Sequence, residues 1–183
     1  MPLPTGWAIE STPNPSVLRV HTRVELTART IETCPPAEAP PPLDGLVLLE
    51  GVRALDLHRY RARINLLPGA DSGSIRAAAA RSLADAWGPA LPSAAVEDLP
   101  RAFAVDYHGG RVVAESMQMA GSVPVAAALF TVDGVAEVVL ANGLAMVTLG
   151  RLFSWYETEP LILEALRPRA TKRPPDGGPE GVP

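Results

Sequence analysis

Two stretches of the sequence repeat each other at a distance of 83 residues: PPLDGLVLLEGV at residues 41–52 and PVAAALFTVDGV at residues 124–135. Both begin with proline, carry apolar residues through about two helical turns, and end in an acid–glycine–valine sequence. Proline is tolerated in the first turn of a helix, and an acid–glycine pair favours a turn after it. Each stretch therefore predicts a short helix followed directly by a β-strand.

The repeat continues without a gap into two alternating apolar segments in each copy. Alternation of apolar and polar residues favours strands with one buried face, and Asn142-Gly143 is a strong signal for a two-residue hairpin turn. The predicted hairpin strands are residues 52–57 with 60–66, and residues 135–140 with 144–149.

Each copy also predicts a helix after its hairpin and a β pair before its short helix. The helices are residues 74–87, capped by Ser72 or Ser74, and residues 154–166. The β pairs are residues 16–22 with 23–31, and residues 101–107 with 111–117 across His108-Gly109-Gly110. The order β-β-α-β-β-α, found twice, predicts an α+β fold made of two tandem two-layer domains.

Composition places the limits of these domains at residues 1–87 and 101–167. Residues 88–100 between them are rich in proline and alanine, which is typical of a linker. Residues 168–183 contain five prolines and three glycines with almost no apolar side chain. Such a segment buries too little surface to offset its ordering entropy, so a disordered tail is predicted.

The charge and cysteine content exclude several classes of protein. With 16 basic and 20 acidic residues the formal net charge is −4, which disfavours a general nucleic-acid-binding protein. A single cysteine excludes an intrachain disulfide framework and a metal site built on a cysteine pair. There is no run of about 18 apolar residues and no signal-peptide pattern. We therefore expect no membrane association and a cytoplasmic location.

The opening of the first copy and the centre of the second resemble one known family. STPNP at residues 11–15, followed by VLRV at residues 17–20, resembles the first motif of the N-terminal domain of Nfu/NifU-type iron–sulfur scaffold proteins. The alanine, leucine-phenylalanine and aspartate-glycine-valine residues within 124–138 look like the helix and signature of the same domain. The resemblance covers nearly the whole folded part as two divergent copies.

This resemblance implies a role in iron–sulfur cluster assembly or delivery. Full-length scaffolds of the family hold the cluster in a separate Cys-x-x-Cys domain, and this sequence has no such motif. The resemblance therefore predicts a non-enzymatic accessory protein that contacts a protein partner of iron–sulfur biogenesis. It predicts no cofactor bound by this chain alone, and a cluster only through a partner or a shared site.

Three arginines are the candidate binding residues. Arg59, Arg61 and Arg63 alternate in a predicted strand, so they are expected to share one face. Such a ridge fits an acidic partner, or an anion held between the two copies of a small-molecule-sensing module; a solvated face paired with Asp56 is the plain alternative. The equivalent positions of the second copy carry Asn142, Leu144, Met146 and Thr148, so the two faces are expected to do different jobs.

Cysteine and histidine are the other candidates for chemistry. Cys34 in a proline-rich loop is either one ligand of a cluster shared across a dimer, a redox-sensitive thiol, or an ordinary loop residue. His21, His58 and His108 lie on separate segments without metal-ligand spacing, so no metal site is predicted. No nucleophile–base pattern or phosphate-binding glycine loop is present, which predicts that the protein is not an enzyme.

Overall fold

A computed structural model describes residues 6–92 and 99–167 and shows an α+β fold, which confirms the predicted class. The strands are β1 Trp7–Ser11, β2 Val17–Thr22, β3 Val52–His58, β4 Arg61–Leu66, β5 Arg101–Ala104, β6 Val112–Ala114, β7 Val135–Ala141 and β8 Leu144–Leu149. The helices are α1 Leu43–Val47, α2 Ser72–Trp87, α3 Met117–Ala120, α4 Pro124–Phe130 and α5 Trp155–Ala165. The predicted tail and residues 93–98 of the predicted linker lie outside the described residues.

The strands form two four-stranded antiparallel sheets. The order is β1-β2-β4-β3 in the first sheet and β5-β8-β7-β6 in the second. Leu18 of β2 lies opposite Ile64 of β4, and the residues 83 positions later, Arg101 and Val147, lie opposite each other in β5 and β8. The hairpins β3–β4 and β7–β8 are bulged at equivalent positions. The sequence repeat thus reappears in the backbone pairing, while the division into separate domains stays a prediction.

Two glycines turn the chain in the same way between each short helix and the strand that follows it. Gly51 and Gly134 have φ values of 87° and 94°, a left-handed conformation that favours glycine. Each carbonyl accepts a hydrogen bond from a residue at the far end of the hairpin, at 2.8 Å from Leu67 N to Gly51 O and 2.8 Å from Gly150 N to Gly134 O. The turn therefore fixes where each hairpin begins and ends.

Each sheet buries one face beneath its helices. The first core joins β2, β3 and β4 to α1 and α2, and the second joins β5 to β8 with α3, α4 and α5. Helix α2 is capped by Asp71, whose carboxylate accepts from Gly73 N and Ser74 N, and not by Ser72 or Ser74 as predicted. In the described part of the chain, the other face of each sheet contributes no residue to these two cores, and we call these the open faces.

The predicted β pairs upstream of the helices were wrong in three respects. Residues 101–107 and 111–117 do not pair with each other, because the β7–β8 hairpin lies between β5 and β6. The two long strands of this hairpin each pair with a short strand on their outer edge. Strand β5 has four residues and β6 has three. Residues 23–31 form no strand apart from a bridge between Ile31 and Leu57. Strand β1, which was not predicted, pairs with β2 instead.

The hairpin turn of the first sheet docks into the second half of the chain. The Gly134 backbone N–H donates to the Tyr60 hydroxyl oxygen at 3.0 Å, and the Tyr60 ring packs against Phe153 with centroids 4.8 Å apart. A Cβ at Gly150 would lie 3.1 Å from both aromatic side chains, so the absence of a side chain there permits the approach. The docking brings the open face of the first sheet against the second half.

Candidate ligand-binding cleft

A cavity of about 140 Å³ lies where the two halves meet. A cavity of about 150 Å³ admits benzene, so this one has room for a ligand of roughly six heavy atoms. The first half contributes the charged and imidazole side chains Glu10, Arg19, His21, His58, Arg59 and Arg61. The second half contributes Glu115, Glu137 and Arg151. We call this cavity the cleft.

Strand pairing assembles the wall of the first half. Arg61 of β4 lies between His21 of β2 and His58 of β3 in the register of the sheet. Val20 and Ala62, which adjoin this row in sequence, are fully buried in the first core. Because side chains alternate across a strand, the row of His21, Arg61 and His58 lies on the open face.

Arg59 does not belong to this row, which corrects the predicted three-arginine ridge. It lies in the turn between β3 and β4 and is 6% exposed. Its guanidinium donates to Glu25 Oε2 at 2.9 Å and to the carbonyl of Val135 at 3.0 Å, and it lies over the ring of Phe130. A two-residue turn breaks the strand period and takes Arg59 out of the row. Arg59 lines the cleft as well, but its guanidinium is already bound to Glu25 and to Val135, and the second contact ties the two halves together.

Arg61 is the arginine of the cleft whose guanidinium has an unsatisfied buried nitrogen. Its Nε is buried and has no hydrogen-bond partner in the part of the chain that the structure describes. Burial and then the neighbouring Arg19 guanidinium lower the pKa of Arg61 below its ordinary value. A buried donor without an acceptor is costly, typically by about 1–3 kcal/mol. An acceptor that entered the cleft would remove this cost.

Arg63 lies further along β4, beyond the residues that line the cleft. It is exposed, lies opposite Arg19 in the sheet, and is 4.0 Å from Asp56. Asp56 also accepts from Asn65 at 2.8 Å. The predicted role of Arg63 in binding a partner stays a prediction, and its proximity to Asp56 fits the plain alternative.

A network of charges closes one end of the cleft. His21 Nε2 lies 2.8 Å from Glu10 Oε2, and the same carboxylate pairs with Arg151 across the two halves. Burial raises the pKa of Glu10, but the hydrogen bonds with Arg151 and His21 outweigh it, so the net shift is downward. Burial lowers the pKa of His21 in spite of Glu10. Glu10 is therefore a carboxylate and His21 is neutral near pH 7.

The second histidine of the cleft lies beside an acid of the other half. His58 Nδ1 is 3.6 Å from Glu115 Oε2. Burial, and then the charge of Arg61, lower the pKa of His58. His58 is thus also neutral near pH 7 and can donate or accept a hydrogen bond at the cleft.

The remaining candidates lie away from the cleft. Cys34 is 3% exposed in the first core, and burial raises the pKa of its thiol, which disfavours a thiolate. His108 is largely exposed beside Asp106. Within residues 6–92 and 99–167, no group of three or more His, Cys, Asp or Glu side chains is arranged to hold a metal ion.

The TPNP segment forms a turn that starts β2. The Thr12 hydroxyl donates to the carbonyls of Asn14 and Val17, and the Asn14 side chain accepts from Ser16 N at 2.9 Å. These bonds hold the turn together and leave Pro13 and Pro15 exposed. The contacts are those of a structural turn.

Sequence reasoning missed most of the cleft. The sequence places His21 and His58 on separate segments and gives no sign that they meet. The β2–β4–β3 pairing brings both beside Arg61. The alternation of Arg19 and His21 in a predicted strand was the available signal, since it places both on the open face. No local pattern indicated that Glu137 of the other half would line the same cavity.

Comparison with known proteins found no matching family model, curated protein or solved structure. The resemblance to iron–sulfur scaffold domains therefore depends on the residues quoted above. Among the helices of the described residues, none has the length and apolar character needed to cross a membrane.

Proposed function

We propose that the protein is a non-enzymatic binding module that holds a small molecule by an acid group, a carboxylate or a phosphate, in the cleft between its two halves. The observation that supports this most is Arg61, which lines the cavity and whose buried Nε lacks a partner among the described residues. An oxygen anion is the natural acceptor for a guanidinium, because charge-assisted hydrogen bonds are short and strong.

The surroundings of Arg61 favour an acid group from the ligand over one from the protein. Arg19 adds a second cation beside it, and the two guanidiniums repel each other. Glu10 is already shared by His21, Arg151 and, at 3.9 Å, Arg19, so it is not free to neutralise Arg61. A ligand carboxylate would satisfy Arg61 and reduce its repulsion with Arg19.

The test is a calorimetric titration with acetate, glycine and inorganic phosphate at low ionic strength. Arg61→Met should weaken binding of the acid that binds best by at least about tenfold, which corresponds to one lost charge-assisted hydrogen bond. Arg63→Met is the matched control, because Arg63 lies on the same strand outside the cleft. Equal losses in both variants, or no binding of any acid, would contradict the proposal.

The accessory role in iron–sulfur biogenesis, with its protein partner, stays a prediction from the resemblance. A cluster usually needs about four cysteine-type ligands, and the chain has one cysteine. We expect no cluster at one per chain after anaerobic reconstitution, as measured by iron and sulfide content. Visible absorption that disappears in Cys34→Ser would instead indicate a shared site.

A further inference from the structure

The two walls of the cleft carry opposite charge. Arg19 and Arg61 belong to the first sheet, whereas Glu137 of β7 and Glu115, which follows β6, belong to the second half. Glu10 and Arg151 lie in the same cavity and pair with each other, and Glu10 also lies 3.9 Å from Arg19. After this pair is set aside, a cationic wall faces an acidic one.

Glu137 is the acidic residue of the cleft whose side chain has no partner in the described part of the chain. Across residues 6–92 and 99–167 its side chain forms no ion pair or hydrogen bond, whereas Glu115 lies beside His58 and Glu10 beside Arg151. Its register partner is Thr148, which also lines the cleft. A partly buried carboxylate at a cavity wall can accept charge-assisted hydrogen bonds from a cation that enters the cavity.

We propose that the ligand of the cleft is a small zwitterion of the α-amino-acid type, with its carboxylate on Arg61 and its ammonium group on Glu137. This inference rests on the proposed function and names the class of ligand for the same site. An ammonium group supplies the donors that Glu137 lacks, and a carboxylate supplies the acceptor that the Arg61 Nε lacks.

The acidic wall also decides against simple anions. A phosphate dianion at Arg61 would share the cavity with the carboxylates of Glu115 and Glu137, and unpaired like charges at close range cost binding energy. A zwitterion removes this repulsion without giving up the contact with Arg61. Selection against the wrong ligand by a misplaced charge is a common source of specificity.

The size of the cavity sets an upper limit on the ligand. About 140 Å³ accommodates roughly six heavy atoms, which is the size of alanine. Amino acids with larger side chains would fit only if the side chain extended out of the cleft. Alanine is therefore the probe of choice. Propionate is alanine without its ammonium group, and ethylamine is alanine without its carboxylate.

The experiment titrates these three compounds into the full chain and into Glu137→Gln, with Glu164→Gln as the matched control. Glu164 is an exposed acid on α5 outside the cleft. In the unaltered protein and in the control, alanine should bind at least about tenfold more tightly than propionate, and ethylamine most weakly. In Glu137→Gln, alanine and propionate should bind within about threefold of each other. Melting temperatures verify that both variants fold.

Two outcomes separate a failure of this inference from a failure of the proposed function. If propionate binds the unaltered protein as tightly as alanine, the zwitterion is wrong and the acid-binding cleft stands. If neither compound binds the unaltered protein and propionate also fails to bind Glu137→Gln, both the zwitterion and the acid-binding cleft are wrong.

Discussion

The open faces of the two sheets share a backbone plan and differ completely in chemistry. The first face carries Arg19, His21, Asp56, His58, Arg61 and Arg63. The positions 83 residues later carry Ala102, Ala104, Val139, Ala141, Leu144 and Met146. Leu144 and Met146 are 49% and 43% exposed, so this apolar part of the second face is not covered by the described part of the chain, whereas Glu137 and Thr148 line the cleft.

The buried positions of the two halves show the opposite behaviour. Residues in the first core have apolar counterparts 83 positions later that are also buried. These pairs are Leu46 and Leu129, Leu55 and Val138, Leu57 and Leu140, Ala62 and Ala145, and Ile64 and Val147. The comparison shows that the repeated backbone depends on the buried apolar residues. The residue types on each open face depend instead on what that face contacts. Only the first face contributes its basic and imidazole side chains to the cleft.

The largest expected effect on stability comes from a change in the turn that joins the halves. Arg59→Met removes the hydrogen bonds to Glu25 and to the Val135 carbonyl and leaves that buried oxygen without this donor. We expect a loss of about 2–3 kcal/mol in the free energy of unfolding. Urea unfolding measures it, with Arg63→Met as a control that should stay within about 0.5 kcal/mol. A loss of the same small size in Arg59→Met would show that the turn does not hold the halves together.

A smaller effect distinguishes two equivalent positions at the ends of the hairpins. Position 150 is glycine where the turn of the first half docks, whereas its counterpart Leu67 is 46% exposed. Gly150→Ala places a Cβ 3.1 Å from Tyr60 and Phe153, and we expect it to cost about 1–2 kcal/mol. Leu67→Ala should cost less than about 1 kcal/mol, because its side chain is half exposed. Equal costs in thermal melting would mean that the two hairpin ends do not differ in their packing.

The smallest expected effect is a fall in folding stability at acid pH, which depends on the histidines of the first open face. The pKa values of His21 and His58 are lowered from 6.5, so the unfolded chain binds protons more readily than the folded chain. Stability should therefore be full above about pH 6.5 and fall as the pH drops below it. The lowered pKa of Glu10 adds a further loss below about pH 4.5.

The double replacement His21→Ala with His58→Ala gives the first face the residue type found at Ala104 and Ala141 of the second. It should remove the part of the pH dependence that lies between about pH 6.5 and 5. The urea midpoint at pH 7.5 and pH 5 is the measurement. An unchanged slope in the variant would place the acid sensitivity outside the cleft.

The fold class and the hairpins could be predicted because their signals are local. Glycine at positions 51 and 134 and the alternation of apolar residues mark where strands begin, end and turn. The pairing of β5 with β8 could not be predicted, because edge strands of a few residues carry no register of their own. The alternation of arginines in the sequence predicted Arg59 on the same face as Arg61. Arg59 instead lies in the two-residue turn before β4, where the strand period does not hold.

The cleft was beyond prediction because it forms between distant segments. The contact of the Tyr60 turn with Gly134 sets which acids of the second half face Arg61, and no sequence period reports such a contact. Strand periodicity could predict only the wall of the first half. It places Arg19, His21 and Arg61 on the same face of their strands.

The most direct test of the central claim is the ¹H–¹⁵N spectrum of the arginine side chains during a titration with alanine. The Nε–H signal of Arg61, assigned by its absence in Arg61→Lys, should shift and saturate, while the signal of Arg63 stays in place. This result would show that the buried donor of Arg61 meets the ligand in the cleft. An Arg61 signal that does not move at saturating alanine, propionate or phosphate would contradict the claim.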